Sequence, residues 1–373
     1  MSKRQLLFIF GTRPEAIKMA PLIKAAQQDS SYEVSVCVTA QHRQMLDSVL
    51  SFFNIKPDYD LDLMQPNQDL LDLTSVGLAK LKEVFQSANP EFIFVQGDTT
   101  TAFIGALAGF YHKKKVVHIE AGLRSGDKYS PFPEEIYRKL IGQIADYHFP
   151  PTKLSAQNLY DDGIKSNVHI VGNTVIDALF LGLDIIKSKG EDIYYEHFHF
   201  LDFNKKIILI TAHRRESFGK KLEDICEALK FLAEKYKDIQ FVYPVHPNPN
   251  VQETANKKLA NMQNVFLIQP LDYHHMIWLM EKSYIIVTDS GGVQEEAPSL
   301  GKPVLVTRDV TERMEGVQAG TAKLVGSDTK VIITEVEKLI NNQEHYILMS
   351  EAHNPYGDGK SCSRILEILR DEL

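Results

Sequence analysis

Short runs of β-branched and apolar residues alternate with helix-length amphipathic segments along almost the whole chain. In the first half the predicted strands are Gln5–Phe10, Glu33–Val38, Phe92–Gln96, Val116–Ile119 and Val168–Val171. In the second half they are Lys206–Ala212, Ile239–Pro244, Val265–Ile268, Tyr284–Val287 and Pro303–Val306. This alternation is typical of βαβ units on a parallel sheet. The sequence therefore predicts an α/β fold with two Rossmann-like, doubly wound domains.

The length of 373 residues accommodates two such domains and a terminal helix. We place the domains at residues 1–172 and 173–355, and expect residues 356–373 to pack toward the first domain. The terminal helix is predicted from Ser361 to Leu373, after turn residues 354–359. The segment 187–204 is rich in charged and aromatic residues without a regular pattern, and we interpret it as a loop or insertion.

Charge and cysteine content exclude several classes of protein. Lysine and arginine number 41 against 49 acidic residues, so the net charge of −8 argues against a main role in gripping nucleic acid or an anionic membrane. The longest uncharged run, 99–112, is shorter than the roughly 18–20 residues that span a bilayer. The N-terminus lacks the long apolar core of a secretory signal, and three cysteines occur without a CxxC pair. We expect a cytoplasmic protein without disulfides.

The segment Gly11–Lys18 follows the first predicted strand. Ligands of open α/β sheets bind outside the carboxyl ends of the strands, so this turn is a candidate site. Thr12 and Glu15 resemble a capping box and predict that a helix begins here. Its free N–H groups, with Arg13 and Lys18, would favour a diphosphate, although a plain turn with solvated cations fits the same residues.

Three carboxylates lie at comparable positions in the first domain. Asp98 and Glu120 follow predicted strands, and Glu134 opens a predicted helix. Two of them have a structural alternative, because Asp98 suits a helix N-cap and Glu134 could pair with Arg138 four residues on. Glu120 caps nothing obvious. If all three meet at one sheet edge, they form a cluster suited to proton transfer.

The second domain offers a complementary set of residues. His213 and His246 follow two predicted strands. Ser290, Gly291 and Gly292 follow a third and bring backbone N–H groups to a helix start, which suits a phosphate. Further candidates are Glu296, placed to accept from ribose hydroxyls, and Arg313 as a second phosphate contact.

Motifs for several other chemistries are missing from the sequence. No GxGxxG follows a strand, and there is no Walker A, HExxH or EF-hand pattern. We therefore expect no nicotinamide cofactor and no metal ion.

Read in order, several segments resemble the non-hydrolysing UDP-N-acetylglucosamine 2-epimerases of bacteria. They are GTRPEAIK, GDTTT, EAGLRSGD, SPFPEE, HRRESFG and DSGGVQEEAPSLGKPVL. The resemblance extends from Leu6 to the tail HNPYGDGKSCSRIL, essentially the whole chain. It implies the two-domain GT-B fold, with substrate in the interdomain cleft and the C-terminal helix crossing back to the first domain. It also implies a homodimer that supplies N-acetylmannosamine for a surface polysaccharide.

The resemblance assigns roles to individual residues. The catalytic groups it implies are Asp98, Glu120, Glu134 and His213. The groups it implies for binding the nucleotide sugar are Arg13, Lys18, Arg138, Ser290, Gly291, Gly292, Glu296 and Arg313. We also expect substrate contacts from His42, Gln68 and His246. Gln41 and Gln44 match an allosteric second substrate site of some members, whereas Asn67 stands where some of those members have arginine, and Gln96 replaces a common histidine.

The predicted reaction is C2 epimerisation of UDP-GlcNAc to UDP-ManNAc. The C2 proton is not beside a carbonyl, so either transient oxidation or loss of UDP from C1 must make it removable. The missing dinucleotide motif favours loss of UDP, and the family's reaction proceeds through a 2-acetamidoglucal. Two alternatives are a GT-B glycosyltransferase, which would need an acceptor groove, and a non-catalytic nucleotide-sugar sensor, which would not need the clustered acids.

Overall fold

The computed structural model describes residues 3–40, 43–65, 68–212, 214 and 218–371. Within them the chain divides into two compact units. The first runs to Leu181 and resumes at Tyr356, and the second is Gly182–Pro355. The predicted domain boundary after Gly172 precedes the helix within which the units divide.

The first unit contains a parallel sheet in the order β3-β2-β1-β4-β5-β6. Its strands are β1 (Arg4–Phe10), β2 (Tyr32–Val38), β3 (Tyr59–Asp60), β4 (Phe92–Gln96), β5 (Lys115–Ile119) and β6 (Tyr147–Phe149). Its helices are α1 (Arg13–Gln28), α2 (Arg43–Phe52), α3 (Leu70–Ala88), α4 (Thr100–Tyr111), α5 (Glu134–Ile144), α6 (Lys153–Asp161), the first part of α7 (Thr174–Lys189), and α16 (Ser361–Asp371).

The second unit repeats the same topology, with the parallel order β12-β11-β10-β7-β8-β9. Its strands are β7 (Ile207–Thr211), β8 (Gln240–Pro244), β9 (Val265–Ile268), β10 (Ile285–Thr288), β11 (Val304–Val306) and β12 (Ala322–Leu324). Its helices are α8 (Asp192–His197), α9 (Lys220–Lys235), α10 (Pro249–Leu259), α11 (Tyr273–Lys282), α12 (Gly291–Glu296), α13 (Met314–Ala319), α14 (Thr329–Asn341) and α15 (Gln343–Ser350), with a 3-10 turn at Ala297–Leu300. The predicted α/β class with two doubly wound sheets is confirmed.

Central strands are buried on both faces, as expected of a parallel sheet covered by helices. In the first unit β1 is almost continuously apolar, and Leu7 and Ile9 are fully buried against residues of α3 and α4. In the second unit Ile208, Ile210 and Phe241 are likewise buried against residues of α9. This pattern made the central strands easy to predict. Among the described residues, no helix is both long enough and apolar enough to span a bilayer.

Two local predictions are wrong. Val168–Val171 does not form a strand: Val168 makes only an isolated bridge to His148, which lies in β6. The segment 187–204 is not simply a loop, because α7 extends to Lys189 and α8 follows. Its aromatic residues pack on Trp278, with the Tyr194 and Phe198 ring centroids 5.5 and 5.4 Å from the indole.

The terminal helix α16 begins at Ser361 as predicted. Asp177 accepts hydrogen bonds from the N–H groups of Ser361 (3.2 Å) and Cys362 (2.9 Å), which satisfies the start of the helix. The Tyr32 hydroxyl donates to the Leu366 carbonyl at 3.2 Å. These contacts fix α16 within the first unit.

Candidate active site

The turn between β1 and α1 is fixed by the buried carboxylate of Glu15. This carboxylate accepts hydrogen bonds from the N–H groups of Gly11 (3.0 Å) and Thr12 (2.8 Å), and from the Thr99 hydroxyl (2.6 Å). Burial raises the pKa of Glu15, and these donors oppose that rise. The predicted helix start is confirmed, and the turn is tied to the loop after β4.

Gly11 has no room for a side chain. A Cβ atom there would lie 1.9 Å from the Thr39 hydroxyl oxygen and 2.6 Å from that of Thr101. Those two hydroxyls are themselves hydrogen bonded at 2.7 Å. The close approach of the backbone to Thr39 and to α4 explains why glycine stands at this position.

Asp98 is not the cap of the following helix. Thr99 has that role, because its hydroxyl accepts a hydrogen bond from the Ala102 N–H at 3.0 Å. The Asp98 carboxylate instead accepts a hydrogen bond from Nε of Arg138 at 2.8 Å. The N-cap alternative for Asp98 is therefore wrong, and its carboxylate is available at the sheet edge.

Glu120 is held by donors from three parts of the first unit. Lys18 Nζ lies 2.6 and 2.5 Å from its two carboxylate oxygens, Asn173 Nδ2 donates at 3.0 Å, and the Gln96 amide also donates. Its backbone has a φ of +60°, in the left-handed region that a non-glycine residue enters at some cost. Lys18, which we expected near the nucleotide, thus contacts a predicted catalytic carboxylate.

Glu134, the first residue of α5, presents a carboxylate with unused hydrogen-bonding capacity. Its Oε2 atom is buried and has no hydrogen-bond partner among the described residues. Arg138 contacts the neighbouring Glu135 at 3.2 Å, in addition to Asp98. A buried carboxylate oxygen without a donor is costly unless a bound group supplies one, so Glu134 is a candidate to contact substrate.

Asp98 and Glu134 line the same cavity, of about 590 Å³, which we call the acid cavity. It lies at the carboxyl ends of β1 and β4, where the strand order of the sheet reverses. Gln68, predicted to contact substrate, lines it too. The other lining residues are Thr12, Met64, Asp69, Leu70, Leu73, Thr99, Thr100, Pro133 and Tyr137.

In the second unit, Arg313 packs against the turn after β10. Its guanidinium carbon lies 3.3 Å from where a Cβ atom of Gly291 would stand, so glycine leaves space for the cation. Nε of Arg313 donates to Glu295 at 2.9 Å, and its NH1 lies 3.1 Å from Glu312. The turn residue Ser290 precedes α12. The structure thus brings together Ser290, Gly291 and Arg313, which are predicted to bind phosphate.

Glu296 and Gly292 lie on the same short helix. The Tyr273 hydroxyl donates to Glu296 Oε1 at 3.2 Å, and a Cβ atom at Gly292 would lie 3.6 Å from Glu296 Oε2. A tyrosine therefore orients the carboxylate beside the glycine turn, as the prediction of a ribose contact requires.

The structure describes three of the remaining predicted residues, His246, Arg13 and Gln44. His246 is exposed, and its Nδ1 accepts a hydrogen bond from the Asn248 N–H at 3.1 Å. Arg13 is partly buried at the start of α1, and Gln44 is exposed on α2. His213, Gln41, His42 and Asn67 lie outside the described residues.

Sequence reasoning missed the residues that support the acids. Glu135 and Asn173 are each 1% exposed. Glu135 accepts from the N–H groups of Ser125 and Gly126, and Asn173 joins Glu120 to the tail through its own N–H, which donates to the Tyr356 carbonyl at 2.6 Å. Glu135 follows no predicted strand. Asn173 lies two residues after the predicted strand Val168–Val171, but its neutral side chain gave no signal of a contact with Glu120.

Comparison with known proteins gives consistent matches. The family model for UDP-N-acetylglucosamine 2-epimerase matches residues 24–370. The UDP-N-acetylglucosamine 2-epimerase of Escherichia coli K12 is 53% identical over 98% of both chains. The Neisseria meningitidis UDP-GlcNAc 2-epimerase bound to UDP-GlcNAc has a TM-score of 0.90 and 49% identity, covering 98% of this chain and 99% of that chain.

A more distant solved structure has the same fold. The Methanocaldococcus jannaschii UDP-GlcNAc 2-epimerase in complex with UDP-GlcNAc and UDP has a TM-score of 0.79 and 34% identity, covering 98% of this chain and 99% of that chain. Fold and matches together define an α/β protein of the GT-B class, with two Rossmann-like units. Within that class, the chain belongs to the UDP-N-acetylglucosamine 2-epimerase family, a family of isomerases.

Proposed function

We propose that this protein interconverts UDP-GlcNAc and UDP-ManNAc by inverting C2 of the sugar. The observation that carries the proposal is the pair Asp98 and Glu134 on one cavity, with a buried Glu134 oxygen that has no hydrogen-bond partner among the described residues. Inversion at carbon requires a proton to leave one face and another to arrive on the opposite face. Two carboxylates at one cavity suit that requirement.

The C2 proton is removed together with loss of UDP. A carboxylate takes the proton, the C–H electrons form the C1–C2 double bond, and the C1–O bond breaks with its electron pair leaving on UDP. The product of this anti elimination is 2-acetamidoglucal. In the syn return step the UDP oxygen attacks C1 and a proton is delivered to the opposite face of C2. No step of this route oxidises or reduces the sugar, so it needs no hydride acceptor, and the glycine turn with Arg313 offers positive charge to the departing UDP. We therefore propose that neither a nicotinamide nor a metal ion takes part in the chemistry.

The contacts of Asp98, Glu120 and Glu134 favour different roles for these three carboxylates. Glu134 and Asp98 are proposed to exchange protons with C2, with Arg138 keeping the Asp98 carboxylate in place. Glu120 is surrounded by donors from Lys18, Gln96 and Asn173, which stabilise its ionised form. We assign Glu120 a fixed negative charge near the sugar rather than the mobile proton.

The second unit is proposed to hold UDP. The Ser290–Gly292 turn and Arg313 offer N–H groups and a positive charge to the diphosphate, and Glu296 offers a carboxylate to the ribose. Stabilising UDP as it leaves lowers the barrier to elimination. His213, which the family resemblance makes catalytic, completes the proposed set, with further substrate contacts from Arg13, His42, Gln68 and His246.

We further propose that the protein works in the cytoplasm as a homodimer and supplies N-acetylmannosamine units for a surface polysaccharide. These statements follow from the family resemblance and from the nature of the product. An allosteric role for Gln41 and Gln44 stays a prediction.

In the direct test, the untagged full chain is incubated with UDP-GlcNAc in buffer that contains EDTA and no added cofactor. We expect conversion to a mixture of UDP-GlcNAc and UDP-ManNAc, approached from either substrate. A matched reaction with added sugar acceptors tests the glycosyltransferase alternative. Transfer to an acceptor without epimer formation, or saturable binding without turnover, would contradict the proposal.

A further inference from the structure

Three imidazoles and a carboxylate meet in the second unit, at the start of α11. They are His197, His274, His275 and Asp272, and we call them the histidine cluster. The ring centroids of His274 and His275 are 4.1 Å apart, and that of His197 stacks on His275 at 4.2 Å. Asp272 precedes α11, and its side chain makes no capping hydrogen bond. None of these residues belongs to the proposed catalytic or UDP-binding groups.

The donor atoms lie close enough for one ion. One ligand atom each from Asp272, His274 and His275 lies within 4.8 Å of the others. For any three atoms no more than 4.8 Å apart, there is a position within about 2.8 Å of each of them, where an ion could lie. Zinc–nitrogen and zinc–oxygen bonds are about 2.0–2.2 Å. Side-chain shifts below about 1 Å would therefore bring all three donors to bonding distance.

The donor set selects a class of ion. Two imidazoles with one carboxylate suit zinc and its neighbours among the divalent transition metals, whereas magnesium and calcium prefer oxygen donors. Asp272 is exposed, and both His274 and His275 are partly exposed, so an ion can reach the cluster from solvent.

We propose that the histidine cluster binds one Zn²⁺-class divalent ion through Asp272, His274 and His275, with the His197 ring stacked beside the site on His275. The three donors lie at the start of α11, and the His197 ring at the end of α8 covers His275. The site is structural and separate from the proposed elimination chemistry. Asp272, His274 and His275 are close neighbours in the chain, but their spacing matches none of the metal motifs considered in the sequence analysis.

The cluster also has a metal-free explanation, in which the imidazoles simply pack against each other and against Tyr194. The Tyr194 ring is 5.6 Å from His274 and 5.3 Å from His275. Ring packing alone predicts no saturable binding. Measured metal affinity therefore separates the two explanations.

The test uses the full chain without a histidine tag, stripped of metal with EDTA and then dialysed free of it. Zn²⁺ binding is measured by calorimetry and by the rise in Tm that follows when an ion binds the folded state. A second readout is quenching by Cu²⁺ of the fluorescence of Trp278, the sole tryptophan of the chain. Trp278 stacks on Tyr194, which contacts the cluster, so quenching reports an ion bound near these helices.

Two variants and one control locate the ion. His275→Gln and Asp272→Asn are each expected to weaken Zn²⁺ binding at least about tenfold and to reduce quenching at limiting Cu²⁺. Asp272→Asn alters an exposed group, so it keeps the test valid if His275→Gln fails to fold. The control His199→Gln changes an exposed histidine just beyond α8 and should bind like the original chain. Absence of saturable binding, or equal affinity in all four proteins, would overturn the proposal.

Discussion

Adjacent residues on one helix have different tasks. Glu134 and Glu135 both open α5, but only Glu134 lines the acid cavity. The Glu135 carboxylate accepts hydrogen bonds from the loop before the helix and from Arg138. Burial alone would raise the pKa of Glu135, but these donors outweigh it and lower the pKa. Glu134 is therefore assigned to chemistry and Glu135 to structure.

This assignment predicts opposite effects of the same substitution at the two positions. Glu134→Gln removes a proton-transferring group, so we expect kcat to fall by about 10²–10⁴-fold with Tm nearly unchanged. Glu135→Gln breaks charge-assisted hydrogen bonds in a buried place, so we expect about 1–3 kcal/mol less free energy of unfolding. Steady-state kinetics and denaturant melts measure both. An active, destabilised Glu134→Gln would remove Glu134 from the mechanism.

A buried histidine makes stability depend on pH. His118 in β5 donates from Nε2 to the Gly97 carbonyl at 2.8 Å, and its Nδ1 is buried without a hydrogen-bond partner among the described residues. Burial lowers the pKa of His118 from 6.5 to about 3. Between these values the unfolded chain binds a proton that the folded chain does not, so stability falls as pH drops from about 6.5 toward 3.

We therefore expect the Tm of the original chain to fall between pH 7.5 and pH 5. In His118→Gln, which keeps a donor but cannot titrate, the fall should be smaller. The exposed His199→Gln serves as the control and should behave like the original chain. Thermal melts at the two pH values measure this difference. Identical falls in His118→Gln and the original chain would show that His118 does not govern it.

At the residue scale the sequence located the acids but not their partners. Asp98 is recognisable after a buried strand, yet only the hydrogen bond from Ala102 to Thr99 decides that it is not a cap. Lys18 was expected at the diphosphate because a cation at a helix start favours anions. Its contact with Glu120 joins residues 102 apart in the chain. The parallel order of β1, β4 and β5 brings them to one edge of the sheet, which local pattern does not encode.

At the scale of elements, prediction succeeded where a strand is a nearly unbroken apolar run and failed at three very short edge strands. Phe92–Gln96 and Val265–Ile268 were predicted with the bounds that the structure gives. The edge strands β3, β6 and β12 have only two or three residues, too few for a periodic signal. The segment around α8 lacked periodicity because its aromatic side chains pack on Trp278 rather than along one helix face.

The cap of α16 gives a test of how the terminal helix is held. Asp177 supplies acceptors to two N–H groups at the start of α16, and burial raises the pKa of this carboxyl although those donors oppose the rise. Asp177→Ala should lower the free energy of unfolding by about 0.5–2 kcal/mol and speed proteolysis after residue 355. Asp177→Asn keeps one acceptor and should lose less. Equal stability of all three proteins would show that the cap contributes nothing.

At the scale of the whole molecule, the two units share one strand order and use it for different tasks. In each sheet the strand order reverses between the first and the fourth strand of the unit. Asp98 follows the fourth strand of the first unit, and Ser290 follows the fourth strand of the second. In the first unit the switch point carries carboxylates, and in the second it carries a glycine turn and Arg313. The net charge of −8 conceals this division between acidic and cationic sites.

The fold class followed from the alternation of strands and helices, because parallel sheets need both faces covered. The functional family followed from motifs read in combination. The histidine cluster was not predicted, because Asp272, His274 and His275 match no recognised metal motif and only the fold brings His197 onto His275.

The central claim is that the C2 proton is exchanged with solvent while UDP leaves C1. Its most direct test is incubation of the full chain with UDP-GlcNAc in D₂O without added cofactor, followed by NMR of the C2 position. We expect UDP-ManNAc and recovered UDP-GlcNAc that both carry deuterium at C2, with almost no incorporation by Glu134→Gln. Epimer that retains the original C2 hydrogen would contradict the account, because the hydrogen would then have moved without release as a proton.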